Sequence, residues 1–177
     1  MGITLNYALV FAAVQVVFSL VLFFLGFETD KIAQLQNMSY IGLVFSAAVL
    51  WLGIKATREA APDKSLAYGR GVGVGTLISL YGGVLTGLYR FFHLKFINPN
   101  FIDYEMDLIR HKWVAAGMSD AQMEQAEKVT RMMMGPGISA ILTPIFSVII
   151  GLILSLIIAA ILKRVASVAV EPPVVQA

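Results

Sequence analysis

The segment Met132–Leu162 reads MMMGPGISAILTPIFSVIIGLILSLIIAAIL and contains no charged side chain. A bilayer core about 30 Å thick needs roughly 20 helical residues, and this segment is longer than that. Three further uncharged runs are of about that length or longer: Met1–Phe27, Ile32–Ile54 and Gly71–Tyr89. The sequence therefore predicts an all-α fold, an integral membrane bundle of four transmembrane helices.

The predicted organisation is a single transmembrane domain over residues 1–164, followed by a flexible tail over residues 165–177 that contains Pro172 and Pro173. We expect the first apolar run to stay attached as a helix, because no Lys or Arg precedes it and it is too long for a signal peptide. The four predicted spans cover approximately residues 4–25, 38–54, 71–89 and 138–162.

Residues 90–131 are predicted to form an extramembrane, amphipathic helical hairpin between helices three and four. Gly117 is expected to end its first helix, and Ser119 with Gln122 forms a capping-box pattern that predicts the start of its second. Four apolar residues recur on one side of the first helix and are candidate partner contacts: Ile102, Met106, Ile109 and Trp113. Such a surface could also lie on the membrane or fold back over the mouth of the bundle.

Small residues recur at every fourth position in two predicted spans. Helix three has Gly71, Gly75, Ser79, Gly83 and Gly87, and helix four has Ser147, Gly151, Ser155 and Ala159. Small side chains let membrane helices approach each other closely, because lipid provides no hydrophobic drive for their association. We therefore expect helices three and four to pack together, or one of them to form the interface of a homo-oligomer. A pore lined by small residues is the functional alternative.

Other polar or helix-breaking residues modify this picture. Gln15 lies near the middle of helix one and needs a hydrogen-bonding partner, most simply on a neighbouring helix. Gly135, Pro136 and Gly137 predict a hinge before helix four. Pro144 removes one helical hydrogen bond and predicts a kink, which we interpret as a shape adjustment rather than a gate.

The composition argues against several classes of chemistry. The 177 residues include no cysteine, and the net charge of +2 is too small to suggest nucleic-acid binding. No Asp, Glu, Lys, Arg or His lies deep within a predicted span, which disfavours proton relays and ion-coupled pumps. His93 is expected at the membrane edge, and Asp103, Asp107 and His111 are interpreted as a solvated face rather than a metal site. No catalytic, cofactor-binding or metal-binding residue is predicted, and we do not expect an enzyme.

Four spans place both termini on one side of the membrane. The linker Lys55–Arg70 and the pair Lys163 and Arg164 lie on that side, next to helix ends. Because positive charges in short loops favour the cytoplasm, we expect the termini to be cytoplasmic.

Several local motifs are familiar in combination. Helix three begins with Tyr68-Gly69-Arg70-Gly71 and is followed by Lys95-Phe96-Ile97-Asn98-Pro99. The hairpin's second helix is flanked by Gly117-Met118-Ser119 and Met134-Gly135-Pro136-Gly137. Helix four ends with Lys163-Arg164. This arrangement resembles a family of small bacterial four-helix membrane proteins, catalogued as domain of unknown function 4199, over approximately Asn6–Arg164. The resemblance implies the bacterial inner membrane, and it carries no activity, ligand or catalytic residue.

The sequence thus favours a non-enzymatic assembly, scaffold or regulatory membrane protein that contacts a partner through residues 90–131. The expected partners are membrane lipids and either further copies of the chain or another membrane protein, with no nucleic acid. A passive channel or small-solute transporter is the alternative function.

Overall fold

The computed structural model describes residues 2–164, and its long regular elements are all helices. The predicted tail, residues 165–177, lies outside the described residues. A 3-10 turn (Ile32–Gln34) precedes the second helix, and a π-helical turn (His93–Ile97) extends the third. The helices are α1 (Gly2–Phe24), α2 (Leu35–Glu59), α3 (Tyr68–Phe92), α4 (Phe101–Ala115), α5 (Asp120–Met134) and α6 (Pro136–Leu162).

Four helical segments within residues 2–164 are long and apolar enough to cross a membrane: Gly2–Phe24, Ile32–Glu59, Tyr68–Ile97 and Pro136–Leu162. The all-α class is thus confirmed, and the four predicted helices are long and apolar enough for a multi-pass membrane protein. The second and third helices continue past their predicted ends. The uncharged runs mark where hydrocarbon would end, whereas a helix can continue into the polar interface with charged residues such as Arg58 and Arg90.

Helix α3 lies at the centre of the bundle, with its most extensive contacts to α6 and further contacts to α1 and α2. The two small-residue series face each other along this α3–α6 seam. A methyl group on Gly71 would lie 2.9 Å from the Cβ of Ala159, and one on Gly83 would lie 2.7 Å from the Cβ of Ser147. Between these pairs Gly75 faces Ser155 and Gly151 faces Ser79. The backbones are therefore closer along this seam than larger side chains would permit.

We call the end of the bundle where α3 ends and α6 begins the loop end, and the opposite one the termini end. A cluster of buried apolar residues fills the bundle toward the termini end: Phe11, Val49, Leu50, Ile54, Leu66, Ile78, Ile158 and Leu162. Leu66 in the α2–α3 linker exchanges two backbone hydrogen bonds with Arg164, of 2.9 and 3.0 Å. These bonds fix the linker against the end of α6.

The end of α4 and the start of α5 lie at the residues whose sequence patterns predict them. Gly117 adopts a positive φ of 76° after α4, and the amides of Gly117 and Met118 donate to carbonyls of the last turn. Ser119 and Gln122 form the capping box that starts α5. Three ion pairs then involve the two helices: Arg110 with Glu127, Arg131 with Glu127 (2.7 Å), and Arg131 with Asp103 (2.7 Å).

The Gly-Pro-Gly segment forms the junction between α5 and α6. Gly135 is the one residue between the helices, and Pro136 is the first residue of α6, where a missing N–H costs nothing. Pro144 lies inside α6 and cannot donate to the Ala140 carbonyl. Gly87 covers this carbonyl, since a methyl group there would lie 2.5 Å from the Ala140 oxygen. Because Gly87 has no side chain, the α3 backbone approaches α6 closely where Pro144 interrupts the helical hydrogen bonds.

Candidate functional site at the loop end

A cavity of about 580 Å³ lies between α1, α2, α3 and α6 and extends from the loop end toward the hydrophobic cluster. A volume of this size falls in the range of small-molecule sites, roughly 300–1,000 Å³. Its polar lining includes Gln15, Ser19, Glu28, Ser46, Tyr89 and Arg90. Its apolar lining includes Phe11, Phe18, Leu43, Phe146, Ile150 and Leu154. The cavity is therefore amphipathic, with its charged groups near the loop end.

A buried carboxylate–imidazole pair lies beside this cavity. Glu28, in the turn after α1, is 3% exposed, and His93, in the π-helical turn after α3, is fully buried. Their side chains meet with His93 Nε2 2.5 Å from Glu28 Oε2. The pair joins two segments that are far apart in sequence. π-helical turns are rare and often occur at functional sites, so the turn that carries His93 is itself informative.

Three more side chains complete this network. The Tyr89 hydroxyl lies 2.8 Å from His93 Nδ1, so both ring nitrogens of the imidazole have partners. Ser19 donates to Glu28 Oε1 over 3.2 Å, and the Asn98 amide donates to the Glu28 backbone carbonyl over 3.2 Å. The network thus connects α1, the turn after it, α3 and the segment that leads into α4.

The charge of Glu28 is stabilised by these neighbours. Burial by itself raises the pKa of a carboxyl group, but here the hydrogen bond and charge of His93, with smaller contributions from Arg90 and Asn98, outweigh it. The pKa of Glu28 consequently lies below its ordinary value of 4.5. Glu28 is outside the four membrane-spanning segments, in the turn between the first two.

Arg90 provides the cationic group of the cavity lining. Its guanidinium lies over the ring of Phe101, 4.6 Å from the ring centroid, and the side chain is half-buried. Within residues 2–164 it has no hydrogen bond or ion pair with another side chain. Because a guanidinium has five N–H donors, most of the capacity of Arg90 for binding an anion is unused.

The polar residue of helix one has a partner within the bundle. Gln15 donates from Nε2 to the Ser46 hydroxyl on α2 over 2.6 Å, and both side chains border the cavity. Ser46 in turn donates to the Gly42 carbonyl over 2.9 Å. Gln15 therefore links α1 to α2 at the wall of the cavity.

The four candidate partner contacts lie on α4, which packs against the 3-10 turn Ile32–Gln34 and against α5. Met106 is fully buried in these contacts, while Ile102, Ile109 and Trp113 are half-buried. The chain's own fold therefore covers much of this surface and leaves none of Met106 for a partner. Exposed apolar side chains also occur on α5, where Val129 and, directly after the segment, Met132 and Met133 share one side. Asp103, considered with Asp107 and His111, pairs with Arg131.

Sequence reasoning did not find the Glu28–His93 pair. From the sequence, Glu28 belongs to a tight polar turn after helix one and His93 is expected at the membrane edge. One signal was available: α1 and α3 run in the same direction across the membrane, so the residues that follow them emerge at the same face. Tyr89 and His93 are also four residues apart and share one side of α3.

Comparison with known proteins agrees with the resemblance found in the motifs. No curated protein and no solved structure matches the chain. One family model, described as "Protein of unknown function (DUF4199)", matches residues 6–164, which is most of the chain. The protein therefore belongs to the DUF4199 family.

Proposed function

We propose that this protein is a non-enzymatic assembly or regulatory protein of the bacterial inner membrane, which contacts another membrane protein through residues 90–131. The supporting observation is the contrast between the two helices of this segment. Helix α4 is anchored by the buried residues Phe101 and Met106, whereas no residue of α5 is buried. Helix α5 is thus connected to the bundle through α4, and its surface remains accessible to a partner.

The α5 surface has a suitable composition for such a contact. Val129 lies near the end of residues 90–131, and Met132 and Met133 directly follow that segment; all three are about half-exposed, with Met132 at 59%, and Met133 also lines the cavity. Methionine side chains adapt to irregular partner surfaces because they are unbranched and flexible. The exposed apolar residues of α5 end directly before α6 enters the membrane. A partner that contacts them must reach the same level at the membrane surface, which favours another membrane protein. With the termini in the cytoplasm, as the basic linker favours, this surface lies on the periplasmic side.

A non-enzymatic role is supported by the closed geometry of the Glu28–His93 pair. A general base must reach a substrate proton directly or through one water molecule. His93 is fully buried, and its two ring nitrogens already contact Glu28 and Tyr89. This arrangement is typical of a structural connection between helices.

Photocrosslinking tests the contact surface. A photoreactive residue at Met132 should give a protein adduct in intact cells, and one at the exposed, polar Lys112 on α4 should not. An adduct to a second copy of the chain would assign the surface to self-association. Lipid adducts alone at Met132, or equal protein adducts at both positions, would contradict the proposal.

The cavity supports a second candidate, the passage of small solutes. It opens at the loop end, but the apolar cluster that includes Leu50, Ile54 and Ile78 closes the bundle toward the termini end. Passage would require this cluster to repack. Solute uptake into proteoliposomes that contain the full chain should exceed uptake into empty vesicles if the protein conducts, and equal rates across a solute panel would exclude this function.

A further inference from the structure

We infer that the loop-end cavity binds a single-chain amphiphile with an anionic head, a carboxylate or a phosphate, and that Arg90 binds the head. This inference concerns the cavity rather than the α5 surface and goes beyond the proposed contact function. It follows from the state of Arg90, the polarity gradient of the cavity and the side on which the cavity opens.

Arg90 is held in place but has no anionic partner. Phe101 packs against the guanidinium at 4.6 Å, which restricts its position without using its hydrogen-bond donors. The acids whose charges act on Arg90 are Glu28 and Glu105, and neither is hydrogen-bonded to it. Glu28 is engaged by His93, Ser19 and Asn98. Burial raises the pKa of Glu105, and this residue forms none of the ion pairs among residues 2–164.

The polarity of the lining matches a molecule with a head and a chain. Arg90, Tyr89 and Ser139 line the cavity near the loop end, where a head group would lie. Phe11 and Leu154 line it deeper in the bundle, where an acyl chain would lie. Glu28 also borders the cavity and opposes an anion, but three donors already stabilise its charge. Burial of an apolar chain against the deeper lining contributes affinity that a small inorganic anion would lack.

The cavity is accessible from the side that faces lipid. Leu43 on α2 and Phe146 and Ile150 on α6 line it and keep 41%, 56% and 43% of their surfaces exposed. Because these incompletely covered side chains lie on two different helices, we place a lateral opening of the cavity between α2 and α6. A ligand dissolved in the bilayer could enter there, with its head at the level of Arg90 and its chain inside the bundle.

A photoactivatable single-chain fatty acid tests this inference with the purified full chain in a non-ionic detergent. We expect saturable labelling of Phe11, which is 5% exposed, and of Leu154, which lines the same deep part of the cavity. Oleate should compete for this labelling and oleyl alcohol should not. Lysophosphatidylglycerol, compared with zwitterionic lysophosphatidylcholine, distinguishes a phosphate head from a carboxylate head, since the stronger anionic competitor identifies the source.

Substitutions assign the head to Arg90. Arg90→Gln should reduce deep labelling by about tenfold or more, as expected when a charge-assisted hydrogen bond is lost. Lys95→Gln is the matched control, because Lys95 is a nearby exposed cation that does not line the cavity. If Arg90→Gln does not fold, Arg90→Lys retains the charge without the planar fork and should reduce labelling less.

The inference is overturned by any of three results. These are labelling confined to outward-facing residues, competition by oleyl alcohol as strong as that by oleate, and wild-type labelling of a folded Arg90→Gln variant. Photocrosslinking from Met132 reports on the α5 surface separately, so failure of the cavity and failure of the partner contact can be distinguished.

Discussion

Replacing Gly75 by leucine is expected to destabilise the bundle by about 3 kcal/mol, because a larger side chain has no space in the α3–α6 seam. A methyl group at this position would already lie 2.8 Å from the Cβ of Ser155 and 3.0 Å from Cδ1 of Ile54. Ser155 and Ile54 are fully buried, so they cannot move aside into open space. The helices would have to separate, and the close contacts of the neighbouring small-residue pairs would be lost with them.

Gly73 provides the control on the same helix. Its Cα is exposed, and an added methyl group would meet nothing within 4 Å. Gly73→Leu should therefore be neutral or stabilising by a few tenths of a kcal/mol up to about 1 kcal/mol, since glycine is a poor helix former. Unfolding in mixed micelles, titrated with a denaturing detergent and followed by tryptophan fluorescence, compares the two variants. Equal transition midpoints would show that the glycine series does not determine the α3–α6 packing.

The four apolar helices, the end of α4 and the start of α5 could be predicted because their signals are local. Uncharged runs identify the spans, and a single residue such as Gly117 or a pair such as Ser119 and Gln122 determines a helix boundary. The small-residue series was visible for the same reason. Its partner was not, since a stripe on one helix is equally compatible with a second helix of the same chain and with a second copy.

The cavity and its charged groups could not be predicted, because they depend on how the helices are arranged. The void at α2 and α6 exists because these two helices are separated there. No local sequence pattern encodes the distance between two helices. Arg90 looked like an ordinary interfacial cation at a helix end. Its importance comes from Phe101, which holds it, and from the absence of a hydrogen-bonded acid among the described residues.

The Glu28–His93 pair shows the same limit. Charge patterning assigns both residues to the ends of helices, where solvation is the usual outcome. The structure instead buries both, because α3 continues beyond its uncharged run and the π-helical turn directs His93 toward the turn after α1. The pair consequently contributes to the tertiary structure at the loop end.

Removing His93 is the second change with a large expected effect. His93→Ala leaves the Glu28 carboxylate buried without its main partner, and breaking a buried pair in this way costs about 3–5 kcal/mol. His111 is the chain's other histidine and is exposed on α4, so His111→Ala is the matched control and should change the free energy of unfolding by less than about 0.5 kcal/mol. Similar losses in the two variants would contradict a structural role for the pair.

The pH dependence of stability tests the same pair without changing its shape. The pKa of Glu28 is below 4.5 in the folded protein, so its contribution to stability is fully present above pH 4.5 and is lost as the pH falls through the folded-state pKa. Glu28→Gln should therefore flatten the decrease in unfolding free energy below pH 4.5 and lower stability at neutral pH by about 1.5–3 kcal/mol. Asp107→Asn, at an exposed acid on α4, should leave the decrease unchanged. If wild type and Glu28→Gln lose stability equally on acidification, the carboxylate is not the group that His93 stabilises, and the loop end must be held together by its apolar contacts alone.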